Sequence, residues 1–280
     1  MRIISADKIK NTVAELCIRA NTVLRSDVLS SLRQAKKEEA NLHAKKLLEA
    51  IIENSRIAKR QKLAICQDTG LPCIFVEIGQ EVKIRGDLKS AIDKGVELGY
   101  RRGFFRNSII KDPLSRGRSG YRPAIMHIDL VKGNKLKLTV LPKGFGCENK
   151  TQLKMFNPTA KIAEIKKFII DAVKIAGPDA CPPYIVGVGI GGTADYAAFL
   201  AKKALLGKVK GKRSKVKGQR SELEQELLKG INGLNIGPMG LGGKTTCLGV
   251  SIETYPTHIA GFPVAVNMSC HALRSASAVL

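Results

Sequence analysis

The stretch CPPYIVGVGIGGTAD (residues 181–195) decides the fold class, because it leads from a buried strand into a helix through glycines. Its apolar run, residues 184–192, is short and ends in two glycines, as strands inside a sheet often do. A helical pattern follows from about Thr193. The proline after Cys181 removes a backbone N–H and restrains the cysteine before it. The stretch predicts an α/β fold with Cys181 held at the start of a strand.

Periodicity on both sides of this stretch extends the prediction to the rest of the chain. Helical spacing of apolar residues predicts helices over 5–20, 27–56, 87–100, 158–177 and 221–232. Period-two alternation over 124–141 predicts a hairpin that turns at Lys132-Gly133-Asn134, and further strands are predicted after Pro72, over 247–253 and over 262–268. No internal repeat is present. We expect mixed sheet elements with surrounding helices, in one domain over residues 1–280.

Composition restricts the protein class. The chain has 280 residues, 44% of them hydrophobic, which is enough for a sizeable core. The amino end lacks the apolar core of a signal peptide, and no apolar run approaches the ~20 residues of a spanning helix. Seven scattered cysteines do not form a disulfide framework, so free or metal-bound thiols in a reducing compartment are expected. We therefore expect a cytoplasmic protein with no membrane association.

The net charge of +23 is concentrated in part in residues 202–220, which carry nine Lys and Arg and no acid. Such a run could bind nucleic acid by releasing counterions, although it lacks the aromatics on which single-strand binders stack bases. A solvated basic loop over 207–220 is the alternative interpretation. In either case the positive field would attract small polyanionic substrates.

Three cysteines share a setting that the other four lack, because Cys66, Cys181 and Cys270 each lie at an element boundary. Side chains at such boundaries can project from rigid scaffold into a cleft. Their wide spacing does not fit a local zinc knuckle but allows an iron–sulfur cluster, whose ligands need only converge in space. Ordinary buried thiols are the alternative, and we favour that interpretation for Cys17, Cys73 and Cys247. Cys147, among glycines, is left open.

Five segments in one order carry a family resemblance: ICQDTG (65–70), KGFGCENKTQL (143–153), CPPYIVGVGIGGTAD, GPMGLGGKTTCLGVSIE (237–253) and PTHIAGFPVAVNMSCHALR (256–274). Together they resemble the α-type catalytic region of class I fumarate hydratases and L-tartrate dehydratases, from about residue 60 onward. The resemblance implies an iron–sulfur hydro-lyase domain in which Cys66, Cys181 and Cys270 hold a 4Fe–4S cluster. Cys147 stands where the family usually has serine and is not counted as a ligand.

The same resemblance implies roles for residues around the cluster. Gln67, Arg106 and Gly146 would bind substrate, Arg106 as a carboxylate clamp, while Asp68 and His258 would act in proton transfer. A turn role for Asp68 and a plain surface role for Arg106 are the alternatives. Partial burial of Arg106 is expected from its apolar neighbours.

The other histidines and the glycine-rich loop receive simpler interpretations. His271 is expected to shape the Cys270 loop by hydrogen bonding. His127 is expected on the polar face of the hairpin, and His43 on the exposed side of a helix. The loop GPMGLGGKTT fails as a phosphate loop, because Pro238 occupies the position of its first glycine.

The resemblance implies reversible hydration of fumarate to malate, a tricarboxylic acid cycle reaction, at an iron that has no protein ligand. Dehydration of L-tartrate to oxaloacetate by the same residues is the alternative, and a basic nucleic-acid-binding protein is a distant one. The threonine–arginine region that abstracts the carbon-bound proton in the family has no counterpart here. We therefore expect a heteromer, with a separate β subunit supplying that half of the site for a four-carbon dicarboxylate.

Overall fold

A computed structural model describes residues 2–209 and 218–280; the predicted basic loop lies partly outside them. Its helices are α1 (Ala6–Thr22), α2 (Ser26–Glu38), α3 (Leu42–Gln61), α4 (Leu88–Arg102), α5 (Phe145–Glu148), α6 (Ile162–Ala176), α7 (Ala194–Ala204) and α8 (Gln219–Asn232). Its strands are β1 (Arg2–Ser5), β2 (Leu71–Gly79), β3 (Val82–Arg85), β4 (Ile109–Asp112), β5 (Arg116–Gly120), β6 (Ile125–Val131), β7 (Leu136–Lys143), β8 (Gln152–Phe156), β9 (Tyr184–Gly192), β10 (Cys247–Thr257), β11 (Phe262–Ser269) and β12 (Ala276–Val279). The predicted α/β class is confirmed.

The first of two compact units comprises the chain up to Leu24, Asn54–Phe145 and Arg274–Leu280. Its main sheet has the order β12-β7-β2-β6, in which β2 runs parallel to β6 and antiparallel to β7. Helices α1 and α4 pack together, and α1 also lies against β7 and β12. The core between them is formed by alternate residues of the strands and one face of each helix, including Ile9, Val13, Ile92, Val96, Ile74, Val76, Leu136 and Leu138.

The second unit comprises Arg25–Glu53 and Gly146–Leu273. Its sheet has the order β10-β9-β11-β8, with β9 parallel to β10 and antiparallel to β11. Helix α7 lies directly on β9, where a Cβ on Gly187 or Gly189 would overlap the carbonyl oxygens of Ala201 and Ala197. The larger core of this unit joins α6 and α8 to the sheet, with Ile165, Ile169, Val173, Tyr184, Val186, Leu227 and Val266 among its members.

Most predicted elements are present with small shifts at their ends. Periodicity correctly places helices α1, α4, α6 and α8, the strand–helix pair β9 and α7, and strands β10 and β11. Asp87 caps α4, its side chain accepting the Ser90 amide. Among the described residues, no helix combines the length and apolar character needed to cross a bilayer.

The predicted hairpin over 124–141 is wrong in its pairing, although both strands exist. Strand β2 lies between β6 and β7, so the two strands pair with β2 and not with each other. The connection at Gly133 instead contacts the end of β2, since Gly79 donates to Lys135 O at 2.9 Å. Alternation identifies a strand and its buried face, but it carries no information about which strand is the neighbour.

The single helix predicted over 27–56 is also wrong, because the chain breaks between α2 and α3. The Asn41 side chain accepts the amides of His43 and Ala44 and so caps the start of α3. Glu39 is buried at the break, and its carboxylate accepts the amide of Lys244 at 2.8 Å. The sequence signal for this break is Asn41, a helix-capping residue within the helical pattern. His43 is exposed beside it, as predicted.

Candidate active site

Exposure separates the seven cysteines into the two groups that the sequence predicts. Cys181 is exposed and Cys66 and Cys270 are partly exposed, whereas the other four are buried. Burial raises the pKa of Cys17 and raises that of Cys247 to about 12, which keeps both as neutral thiols. Only a thiolate ligates metal, so accessible cysteines are the better candidates.

The segment carrying Cys66, in the first unit, is anchored by hydrogen bonds to polar groups of the same unit. The amide of Ile65 donates to the Asn21 carbonyl at 2.9 Å, and the Ile65 carbonyl accepts from Asn54 Nδ2 at 2.8 Å. The hydroxyl of Tyr100 donates to the Thr69 carbonyl at 2.7 Å. Burial raises the pKa of Tyr100 and keeps this donor protonated. These bonds fix the backbone on both sides of Cys66.

Asp68 completes this turn with both carboxylate oxygens. One oxygen accepts the Gly70 amide at 2.9 Å and the other accepts the Phe145 amide at 2.8 Å. The first bond forms an Asx turn, which is the structural alternative that the sequence left open. Asp68 therefore holds the turn, and a role in proton transfer stays a prediction.

Arg274 is a residue of this site that sequence reasoning missed. Its side chain is 3% exposed; Nη2 donates to the Asp68 carbonyl at 2.8 Å and Nη1 donates to Asn21 Oδ1 at 3.2 Å. Buried arginines are rare unless paired, and nothing in a chain with 47 Lys and Arg marks this one as buried. Its place in the last resemblance segment was the available signal.

In the second unit, the Cys181 segment and the chain after Cys270 are joined directly. Both the amide and Nδ1 of His271 lie within hydrogen-bond distance of the Cys181 carbonyl, at 3.4 and 3.1 Å. The predicted hydrogen-bonding role of His271 is consistent with this contact. Cys181 has φ of 58°, a conformation that non-glycine residues rarely adopt and that clusters at functional sites.

Two further contacts support the Cys181 loop from within the same unit. The amide of Met239, in the glycine-rich loop over 237–243, donates to the Pro182 carbonyl at 2.8 Å. The thiol of the buried Cys147 donates to the Ala180 carbonyl at 3.3 Å. Cys147 thus packs beneath the loop and supports it. This is a structural role for a cysteine that the sequence does not assign.

Glu148 follows Cys147 and forms a partly buried polar cluster next to the end of β11. Its carboxylate accepts from Lys202 Nζ at 2.5 Å and from Asn267 Nδ2 at 2.9 Å. Asn267 is 1% exposed and lies three residues before Cys270. The polar cluster fixes the strand that ends just before Cys270, and it places one lysine of the basic run in an ion pair.

The predicted substrate-binding residues are accessible. Gln67 and Arg106 are exposed, and the Arg106 carbonyl accepts from Thr69 Oγ1 at 3.3 Å. The expected partial burial of Arg106 is wrong, because Phe105 turns inward while Phe104 is 96% exposed. A Cβ on Gly146 would have nothing within 4 Å, so open space lies beside this backbone.

His258 is exposed on the turn after β10, and its Nδ1 accepts the Ala260 amide at 3.1 Å. An accepting Nδ1 places the proton of the neutral ring on Nε2, which is then available to a ligand. His127 is half-buried, with its ring 5.0 Å from that of Phe75. It is therefore not on a solvated polar face.

The donor chemistry of the three accessible cysteines fits an iron–sulfur cluster. Within residues 2–209 and 218–280, no three His, Cys, Asp or Glu side chains are grouped as ligands of a single metal ion. A cluster does not require such a group, because its cysteine ligands bind different irons and not a single one. Cys66 is held in the first unit, and Cys181 and Cys270 are held on adjoining segments of the second.

Residues 10–279 match the family described as fumarate hydratase (Fumerase). The chain belongs to this family. A Methanocaldococcus jannaschii protein whose name provisionally assigns it as L(+)-tartrate dehydratase subunit alpha is 39% identical over 276 residues, 96% of each chain. Subunit alpha of L(+)-tartrate dehydratase from Escherichia coli strain UTI89 is 30% identical over 274 residues, 96% of this chain and 90% of its own. The family resemblance carried by the five segments is confirmed.

Proposed function

We propose that this chain is the α subunit of a hydro-lyase that reversibly hydrates fumarate to malate. The observation that supports the proposal best is the family match over residues 10–279, combined with exposure of the three cysteines that the resemblance selects. A 4Fe–4S cluster, when bound by Cys66, Cys181 and Cys270, supplies a Lewis-acidic iron for the substrate hydroxyl and a carboxylate.

The chain's own side chains would bind and orient the dicarboxylate. The exposed Arg106 guanidinium suits bidentate pairing with one carboxylate, and the Gln67 amide offers a further donor. The open space at Gly146 lets a substrate approach the backbone closely. His258 would hold a transferable proton at Nε2, and Asp68 would serve as the second proton-transfer group.

A second substrate, L-tartrate, is favoured by the names of the relatives, which are tartrate dehydratase α subunits. Tartrate differs from malate by one hydroxyl, and the same carboxylate-binding residues could serve both. Comparing kcat/KM for malate and for L-tartrate in the same preparation decides between them. A ratio that favours tartrate would replace the fumarate assignment.

The designation of these relatives as subunit alpha also supports a separate β subunit as partner. We expect the chain to co-purify with that subunit when the two are produced together, and to turn over slowly alone. Full turnover by the isolated chain would contradict the need for a partner.

The cluster is tested by iron and sulfide analysis of protein prepared without oxygen. Cys66→Ser, Cys181→Ser and Cys270→Ser should each lower the iron and sulfide bound per chain, because one ligand is lost. Cys73→Ser is the matched control, since Cys73 is 1% exposed and predicted to be a packing residue. Wild-type protein that binds neither iron nor sulfide would overturn the proposal.

A further inference from the structure

The guanidinium of Arg274 is buried, and no carboxylate within residues 2–209 and 218–280 forms an ion pair with it. It makes two hydrogen bonds, both to neutral oxygens, and its Nε–H has no acceptor among the described residues. Burying a cation costs several kcal/mol (order of magnitude) unless its interactions compensate. A neutral side chain could fill this space without the free-energy cost of burying a charge. The arginine is therefore expected to have a role beyond packing.

The two bonds of Arg274 hold both ends of one short segment. Nη2 binds the carbonyl of Asp68 directly. Nη1 binds Asn21 Oδ1, and the backbone carbonyl of the same asparagine accepts the amide of Ile65. Cys66 and Gln67 are the residues between these two points. One rigid guanidinium fork therefore acts on both ends of the segment, in addition to the bonds from Asn54 and Tyr100.

The two residues between these points are accessible to solvent. Cys66 is partly exposed and Gln67 is exposed. The Asp68 carboxylate and Arg274 Nη2 also approach the same point beside Gly144, at 3.2 and 3.8 Å from a Cβ built there. The charge of Arg274 therefore acts close to the carboxylate that closes the turn.

We propose that Arg274 is a positioning residue that fixes the Cys66–Gln67 segment for cluster and substrate binding. The inference rests on the proposed function, because Arg274 can affect cluster binding in this way only if Cys66 is a ligand of the cluster. Groups that orient metal ligands typically change metal affinity or activity by about 10- to 100-fold when they are removed. A role in packing alone would change stability without changing the behaviour of this segment.

The test compares Arg274→Met and Arg274→Lys with Arg25→Met in the full chain. Arg25 is a suitable control because it is also largely buried and also donates to two backbone carbonyls, those of Leu205 and Gly207. The first measurement is amide hydrogen exchange of residues 65–70 in metal-free protein. We expect at least tenfold faster exchange in Arg274→Met, partial restoration by lysine, and no change in the control.

The second measurement is iron release to a chelator from anaerobically reconstituted protein, well below the unfolding temperature. Release should be about tenfold or more faster in Arg274→Met than in wild type and in the control. Wild-type exchange and wild-type iron release in Arg274→Met would overturn the proposal. If the methionine variant does not fold, equal exchange and iron release in Arg274→Lys and wild type would overturn it.

These outcomes separate this inference from the proposed function. Wild-type protein that binds no iron or sulfide contradicts the function, whatever Arg274 does. Wild-type protein that binds a cluster and an Arg274→Met variant that keeps it equally well contradict only the role of Arg274.

Discussion

The Cys66 turn shows how single side chains determine the candidate site. Its backbone is held by the side chains of Asn54, Tyr100 and Arg274, which donate to the carbonyls of Ile65, Thr69 and Asp68, respectively. All three bonds are directed at backbone oxygens, and together with the Asp68 carboxylate they hold the turn in shape. Such support by neighbouring groups is what a precisely placed ligand requires.

Sequence analysis found the residues at this site that carry distinctive chemistry and missed those that support them. Cysteine at an element boundary is rare enough to be selected, and the exposure of Cys66, Cys181 and Cys270 agrees with that selection. Arg274 and Tyr100 belong to residue types whose role depends on burial. Burial is a tertiary property, and neither residue carries a local pattern that reveals it.

A pH-dependent prediction concerns Asp27. Desolvation raises its pKa, but hydrogen bonds from Arg25 and from the Val209 amide outweigh that effect, and the folded-state pKa is lowered from 3.8. A lowered carboxyl pKa stabilises the folded state above pH ~4, and this stabilisation is lost as pH falls through the folded-state pKa. We expect Asp27→Asn to flatten the acid-side loss of stability in urea unfolding between about pH 5 and pH 2.

The control for this prediction is Asp171→Asn. Asp171 pairs with Lys167 one helical turn away at the surface, and such pairs stabilise by only about 0.3–0.5 kcal/mol. The loss of stability at acid pH in Asp171→Asn should therefore stay close to that of wild type. Equal slopes for wild type and Asp27→Asn would contradict the assignment.

At the scale of elements, glycines set how closely helices approach their neighbours. Gly95 and Gly99 of α4 face the carbonyls of Lys10 and Ala14 of α1, where an added Cβ would lie 2.6 Å from each oxygen. Gly189 plays the same part between β9 and α7. These glycines are needed for packing, and the sequence showed only that they are numerous.

Two alanine substitutions compare a glycine that is needed for close packing with a glycine beside open space. Gly189→Ala should lower the free energy of unfolding by about 1–3 kcal/mol or more, because α7 must move away from β9. Gly146→Ala should leave it unchanged or raise it by up to ~1 kcal/mol, because its surroundings are open and it lies in a helix. Urea unfolding measures both changes.

The same Gly146→Ala variant tests the proposed substrate approach. A methyl group there should raise KM for the dicarboxylate several-fold while the fold is retained. An unchanged KM would show that Gly146 does not contact substrate.

Element positions were largely predictable, and their pairing was not. The alternation of Leu136, Leu138 and Val140 correctly identifies β7 and its buried face. The insertion of β2 between β6 and β7 depends on packing between segments about 50–70 residues apart, which no local pattern encodes.

At the scale of the whole molecule, the charge of +23 is the dominant electrostatic feature. Only 24 acidic residues are available for 47 Lys and Arg, so nearly half of the cations cannot be paired one to one within the chain. Such a surplus destabilises the folded state by self-repulsion and attracts anions such as a dicarboxylate. In the described part of the basic run, Lys202 forms an ion pair with Glu148, Arg220 lies 4.0 Å from Glu253, and Lys203 lies over the Phe199 ring.

Salt should therefore stabilise the isolated chain. Raising sodium chloride from about 0.01 M to about 1 M shortens the screening length from ~30 Å to ~3 Å and weakens the repulsion. We expect the unfolding temperature to rise across this range in a thermal melt. A fall would mean that favourable ion pairs, which salt also weakens, outweigh the repulsion.

The discontinuous first unit has a consequence for synthesis. Residues 25–53 and 146–273 form the second unit, so the ribosome delivers that unit in full before it delivers Arg274 and β12. In nascent chains, the domain that leaves the ribosome first usually folds first. Here the first unit can be completed only after the second has been synthesised, and the loop bearing Cys66 gains its hydrogen bond from Arg274 only then.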